Sequence, residues 1–186
     1  MDASAATEAM MTEPVLILMC GLAFAGKTTL ACTIAAQYGW RYISLDVVNT
    51  ERGVGLDGNA IPSYEWTQTY AKAYRQVQEA LQAGQSVVCD ETNFLRSQRD
   101  QLRSSAALYR VETYVLYVAT LEAEVRHRWQ QNRITQQRSD VRDDDFALVV
   151  QQFEPPTTDE SVIFYDPNIP VNIWIRQTFG PVSCGE

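Results

Sequence analysis

Six apolar residues in a row, Val15 to Cys20, begin the patterned part of this chain. A short run with no polar alternation predicts a strand buried on both faces of a parallel sheet. Leu30, Ile34 and Tyr38 then recur at helical spacing and Gly39 ends the period, which predicts a helix over 28–38. Further strands are predicted at 41–45, 86–89, 111–119 and 171–175, and further helices at 64–83, 96–108, 121 to about 131 and 143–153. Three acids open the last of these helices and Pro155-Pro156 stop it. Residues 49–63 read as a loop, and 132–142 as a polar, Arg-rich connection. Strands alternating with helices predict an α/β three-layer sandwich: a mostly parallel five-stranded sheet with helices on both faces. No repeat or linker divides the chain, so residues 14–186 are expected to form one domain after a disordered tail at 1–13.

Composition narrows the class. With 46% hydrophobic and 20% charged residues, the chain has the make-up of a folded domain, not a disordered one. Its apolar run at 15–26 is far short of the ~20 residues a membrane span needs. The N-terminus lacks the basic start and apolar middle of a signal peptide, so a cytoplasmic location is expected. Cys20, Cys32, Cys89 and Cys184 form no CxxC pair and are expected to be buried free thiols, not a zinc site or disulfide framework. A net charge of −8 argues against a broad nucleic-acid surface. The cations are thirteen Arg and only two Lys, Lys27 and Lys72.

Lys27 lies in the segment with the most specific chemistry. Gly21-Leu-Ala-Phe-Ala-Gly26-Lys27-Thr28 fits G-x-x-x-x-G-K-[ST] between a predicted strand and a predicted helix. Such a loop wraps phosphate with successive backbone N–H groups and aims a helix N-terminus at it. Gly21, Ala25, Gly26, Lys27, Thr28 and Thr29 are therefore the candidate nucleotide contacts. Lys27 would reach the β and γ phosphates and the Thr28 hydroxyl would bind Mg²⁺. Phe24 is unusual inside such a loop; it is expected to pack over the loop as a cover, the other option being a wall for base or acceptor.

Two acids follow predicted strands: Asp46 after RYISL and Asp90 after SVVC. Parallel strands end along one sheet edge, where the loop also emerges, so a lysine and two carboxylates converge there. Asp90 suits a Mg²⁺-organising acid and Asp46 a base for an attacking hydroxyl; for each, a turn cap is the structural alternative. Arg126, Arg128, Arg133, Arg138 and Arg142 crowd the segment 126–142. Arginines on a mobile lid supply charge compensation during phosphoryl transfer, and this segment is the expected lid. His127, the only histidine, reads as a surface residue.

These motifs resemble small P-loop kinases of the AAA_33 type, relatives of zeta-toxin kinases, chloramphenicol phosphotransferase and the 5′-polynucleotide kinase domain. GLAFAGKTTLA, Ser44-Leu-Asp46, Val87 to Thr92, Arg96 and Arg99, Arg128 to Arg133, and Phe153 to Pro156 with Asp159-Glu160 carry the resemblance across about 14–160. It implies the P-loop NTPase fold and the use of ATP and Mg²⁺ to phosphorylate a hydroxyl. It also implies Asp46 as general base, Asp90 as the Mg²⁺-organising acid, and Arg128 and Arg133 as the lid arginines. Where several relatives carry an arginine three residues after the base, this chain has Asn49.

The activity expected is transfer of the γ-phosphate of ATP to a small-molecule hydroxyl. The alternatives are a 5′-OH polynucleotide kinase and a nucleotide-binding ATPase or switch without an acceptor. Guanine-reading Asn-Lys-x-Asp is absent, since neither lysine follows an asparagine. The acceptor is expected along 49–70, where Glu51, Arg52, Asp57, Tyr64 and Trp66 offer polar and aromatic contacts.

Overall fold

The computed structural model describes residues 13–55 and 61–181. The expected tail, apart from Glu13, lies outside the described residues, as do Asp57 and Cys184. Strand β1 (Val15–Cys20) is buried along its whole length. Val15, Ile17 and Met19 enter one core, and Leu16, Leu18 and Cys20 enter the other. That two-sided burial is the physical reason for its unbroken apolar run. β2 (Arg41–Ser44), β3 (Val87–Asp90), β4 (Glu112–Tyr117) and β5 (Val162–Phe164) complete a five-stranded sheet in the order β2-β3-β1-β4-β5. Every pairing is parallel, so all five strands end on one edge.

Helices cover both faces. On one lie α1 (Lys27–Tyr38), α5 (Glu122–Thr135), α6 (Asp143–Gln152) and α7 (Val171–Phe179), which contribute Leu30, Ile34, Val125, Trp129, Phe146, Trp174 and Phe179 to the first core. On the other lie α2 (Leu45–Arg52), α3 (Ser63–Gln82) and α4 (Arg96–Ala107), with Val48, Ala73, Val77, Leu81, Leu102 and Ala106 in the second. Each fully buried Leu, Ile, Val or Phe contributes roughly 1.5–3 kcal/mol, so a charge at Ile17, buried at the sheet centre, would break both packing and strand. No helix among the described residues is long and apolar enough to cross a membrane.

Several expectations are corrected. Residues 171–175 form the start of α7, not a strand. Pro170 caps the helix, its carbonyl accepting from Ile173 and Trp174 N–H, and Trp174, Ile175 and Phe179 are buried at helical spacing. A short β-branched run does not distinguish helix from strand. The fifth strand is β5, whose three residues pair with β4 and are too few to show a period. The expected loop at 49–63 begins as helix, since α2 runs to Arg52 and places Asp46 in its first turn. α5 continues to Thr135, so the expected lid comprises a helix and the connection at 136–142. Cys20 and Cys89 are buried free thiols, but Cys32 is exposed on α1.

Candidate active site

The loop between β1 and α1 is closed by its own bonds. Ala25 N–H and the Lys27 ammonium both donate to the Leu22 carbonyl, at 3.2 and 2.8 Å. The Thr120 hydroxyl donates to the Ala25 carbonyl at 2.9 Å. The loop is anchored at its start: Gly21 N–H donates to Thr92 O, and Val118 N–H to Cys20 O. Gly21 has φ 143°, and a Cβ there would lie 2.7 Å from the Val118 carbonyl oxygen, so glycine is required. Gly26, at φ 108°, turns the chain into α1. No acid occupies the first turn of α1, which leaves the positive end of its dipole uncompensated beside the loop. Lys27 is buried at this end, Thr28 half-buried and Thr29 exposed.

Phe24 is buried at φ 64°, a left-handed conformation uncommon for an aromatic residue. Its ring packs in the first core with Ala25 and Val125, and the Arg138 guanidinium lies 4.8 Å from the ring centroid. The expected hydrophobic cover therefore also carries a cation.

The carboxylates come from adjacent strands: Asp90 ends β3, Ser44 lies opposite it, and Asp46 follows within α2. Asp90 Oδ2 accepts the Tyr42 hydroxyl at 2.8 Å. Asp46 is exposed to solvent at this edge, but crowding by the surrounding protein, then the charge of Asp90, raises its pKa, against the pull of Arg138 and Lys27. Burial lowers Lys27 to about 8, with Asp90, Cys20 and Asp46 opposing. Lys27, Asp46, Asp90 and Arg138 thus share one electrostatic neighbourhood at the strand-end edge.

The arginines divide. Arg128 pairs with Glu124 at 2.8 Å and directs Nη1 to the Phe24 and Ala25 carbonyls, each at 3.4 Å. Arg133 pairs with Asp140 at 3.2 Å and Asp143 at 2.5 Å, with its guanidinium 4.3 Å from the Trp129 ring centroid. Arg138, not singled out from the cluster in the sequence, joins Arg128 over the β1–α1 loop, through the Phe24 ring. Buried Asn132 fixes its backbone, accepting from Arg138 N–H at 3.1 Å and donating to its carbonyl at 2.9 Å. His127 is exposed, as expected.

Sequence reasoning also missed the support behind Asp90. Asn93 is buried at φ 44°; its side-chain amide donates to Met19 O at 2.8 Å and its backbone carbonyl accepts from Arg99 at 2.8 Å. Arg99 makes two bonds to Glu160, at 2.7 and 3.0 Å, with both side chains fully buried. Arg96 reaches Asp159, and Glu154 bonds the backbone of Phe94 and Arg96. The FEPP segment and Asp159-Glu160 therefore brace α4 and the ends of β1 and β3. Only the sequence distance between these groups concealed the link.

The expected acceptor segment is partly committed elsewhere. Arg52 bonds Glu65, Gln68 and Thr69, Glu51 pairs with Lys72 at 2.8 Å, and Asn49 is buried against Thr69. Tyr64 is exposed and Trp66 half-buried. Beyond Asp90, Glu91 is buried; burial raises its pKa to about 7, the Cys89 thiol opposing and Asp90 adding. A cleft of about 370 Å³ borders the loop at Leu22 and is also lined by Tyr117, Thr120, Glu122, Val150 and Phe153.

The profile of the AAA_33 family, described as an AAA domain, matches residues 16–156. Among solved structures, the chain is similar to Chaetomium thermophilum Kti12 in complex with ADP-AlF3 (TM-score 0.70, 23% identity, 88% of this chain and 95% of that chain). It is also similar to a gluconokinase from Sinorhizobium meliloti 1021 (TM-score 0.59, 18% identity, 89% and 90% of the two chains). A third similarity is to the Mycobacterium tuberculosis APS kinase CysC in complex with AMPPNP and APS (TM-score 0.64, 11% identity, 89% and 95%). A comparison with curated proteins returns no match. The structural likenesses show the P-loop NTPase fold that the sequence led us to expect.

Proposed function

Because the chain belongs to the AAA_33 family, whose profile spans most of it, we propose that it transfers the γ-phosphate of ATP to a hydroxyl of a small molecule. The observation that carries this reading is the convergence of Lys27, Asp46, Asp90 and Arg138 beside a closed phosphate loop. That set matches the needs of phosphoryl transfer: an anion cradle, a base and charge compensation. The nucleotides in the Kti12 and CysC structures, and the small-molecule kinases among the neighbours, support the same class.

In this reading the backbone from Gly21 to Thr29, with Ala25 and Gly26 at its turn, holds the phosphates against the α1 N-terminus. Lys27 leaves the Leu22 carbonyl to bind the β and γ oxygens. Asp46, its pKa already raised, accepts the proton of the hydroxyl as that oxygen attacks the γ-phosphorus and ADP departs. Arg128 and Arg138 stand over the loop to meet the transferring charge; Arg133 joins them only by leaving Asp140 and Asp143. The residues also fit Mg²⁺. Thr28 and Asp90 offer hard oxygen donors, and the Asp46–Asp90 repulsion is of the kind a divalent cation relieves. Among the described residues no group of three or more His, Cys, Asp or Glu stands ready to hold a metal ion alone. Such an ion would neutralise charge on the phosphates.

The test is ADP release with ATP and Mg²⁺ across sugars, nucleosides, antibiotics and 5′-OH oligonucleotides. Stimulation by a small hydroxyl compound is expected, and Asp46→Asn should lose it while still binding ATP. Full turnover by Asp46→Asn would remove the base assignment. Stimulation by oligonucleotides alone would replace the small-molecule acceptor.

A further inference from the structure

The carboxylate of Asp90 is held from the neighbouring strand. In the parallel pairing of β2 with β3, Tyr42 stands opposite Val88 and Ser44 opposite Asp90. Tyr42 and Val88 both pack in the first core. Side chains two residues apart on a strand share a face, so Asp90 points to the same side of the sheet as Val88 and Tyr42. That is the side α1 covers, and α1 begins with Lys27 and Thr28. A tyrosine is long enough to cross the diagonal from Tyr42 to Asp90. Its hydroxyl donates to Asp90 Oδ2 at 2.8 Å. Among the described residues no other hydrogen bond reaches this carboxylate.

The donor is itself fixed. The Tyr42 ring is half-buried and packs in the first core, so the hydroxyl sits on a rigid strand and not on a loop. Phenylalanine would give the same packing; the added oxygen serves Asp90. An aspartate carboxylate otherwise turns readily about χ2. A donor on Oδ2 stops that rotation and leaves Oδ1 as the freer ligand. Mg²⁺ demands near-ideal octahedral geometry and takes only one or two carboxylates, so it is sensitive to how a carboxylate is turned. Partners that orient a metal's ligands commonly set its affinity.

We propose that Tyr42 is a positioning residue of the phosphoryl-transfer site, its hydroxyl fixing the Asp90 carboxylate in the orientation that Mg²⁺ with a bound nucleotide requires. Tyr42 acts through Asp90 and not on the substrates. This role rests on the reading of Asp90 as the Mg²⁺-organising acid. The structural alternative is a bond that only satisfies a buried carboxylate. Losing such a bond lowers stability and leaves the dependence on Mg²⁺ untouched.

Calorimetry on the full chain separates the two. The affinity for a non-hydrolysable ATP analogue is measured in excess Mg²⁺ and in chelator, and the ratio is the Mg²⁺ enhancement. Tyr42→Phe removes one oxygen and keeps the ring. It should lower the enhancement about 10-fold, the low end for loss of a partner that orients a metal ligand, with affinity in chelator unchanged. Asp90→Asn should lower it at least as far, and adding Tyr42→Phe to Asp90→Asn should change nothing more. An enhancement that survives Tyr42→Phe but is lost in Asp90→Asn overturns the proposal and leaves the kinase reading in place. No enhancement in wild type, or one that survives Asp90→Asn, removes the ion from Asp90 and overturns both. If Tyr42→Phe does not fold, Tyr42→Met, which fills the core without a donor, carries the same expectation.

Discussion

Glu160→Ala leaves the Arg99 guanidinium in the core without its carboxylate. Both side chains are fully buried, and Arg99 gives two of its bonds to Glu160 and a third to the Asn93 carbonyl. Removing one member of a buried ion pair costs about 3–5 kcal/mol, because the remaining charge is neither solvated nor paired. For a chain of 186 residues that is roughly a 10 °C drop in melting temperature. Arg99→Met with Glu160→Leu should lose much less than the single variant, since no buried charge remains. The pH dependence has a definite sign. Burial pushes Glu160 up, but Arg99 and the Thr157 amide and hydroxyl outweigh it and hold the carboxyl at about 2, below the ordinary 4.5. The stabilisation is therefore complete above 4.5 and is lost as pH falls toward 2. Urea denaturation of wild type, Glu160→Ala, the singles Arg99→Met and Glu160→Leu, and their double at pH 7 measures the coupling. A Glu160→Ala cost below about 1 kcal/mol, or a double variant equal to the sum of its singles, would refute the argument.

Glu91 should behave in the opposite way. Its pKa is raised to about 7, so its burial is costless below 4.5, and the penalty grows up to pH 7 and is constant above. Glu91→Gln should therefore gain about 3 kcal/mol over wild type on going from pH 4 to pH 8 in nucleotide-free urea titrations; no pH-dependent gain would contradict the shift. Gly21→Ala should abolish ATP binding in calorimetry, since its Cβ meets the Val118 carbonyl oxygen at 2.7 Å. Arg138→Ala should lower ADP release more than Arg142→Ala, whose arginine pairs with Asp144; equal loss would remove Arg138 from the site.

The legible parts of the fold were those whose environment is set locally. β1 announced itself because both of its faces are buried, and Asp46 and Asp90 were placed on one edge because parallel strands end together. α7 was misread because Val, Ile and Trp at 171–175 suit a strand until Phe179 is seen to complete the helical face. β5 was invisible because its order comes from pairing with β4, not from its own three residues. At the site, the loop glycines followed from backbone geometry, whereas Arg138 depends on how Asn132 holds the chain six residues later. The Arg99–Glu160 pair, sixty-one residues apart, has no local signature.

Trp129 is held between two partners: the Phe146 ring stacks on it at 4.3 Å and 11°, and the Arg133 guanidinium lies over its face. Its indole N–H is bonded to Asp140 and Val141. Arg133 cannot travel to a phosphate without baring that indole. The arrangement therefore gives the protein an intrinsic optical reporter. Closure of the segment 136–142 over a nucleotide should alter tryptophan emission with no added label, so the rate of the movement can be followed by stopped flow and compared with turnover.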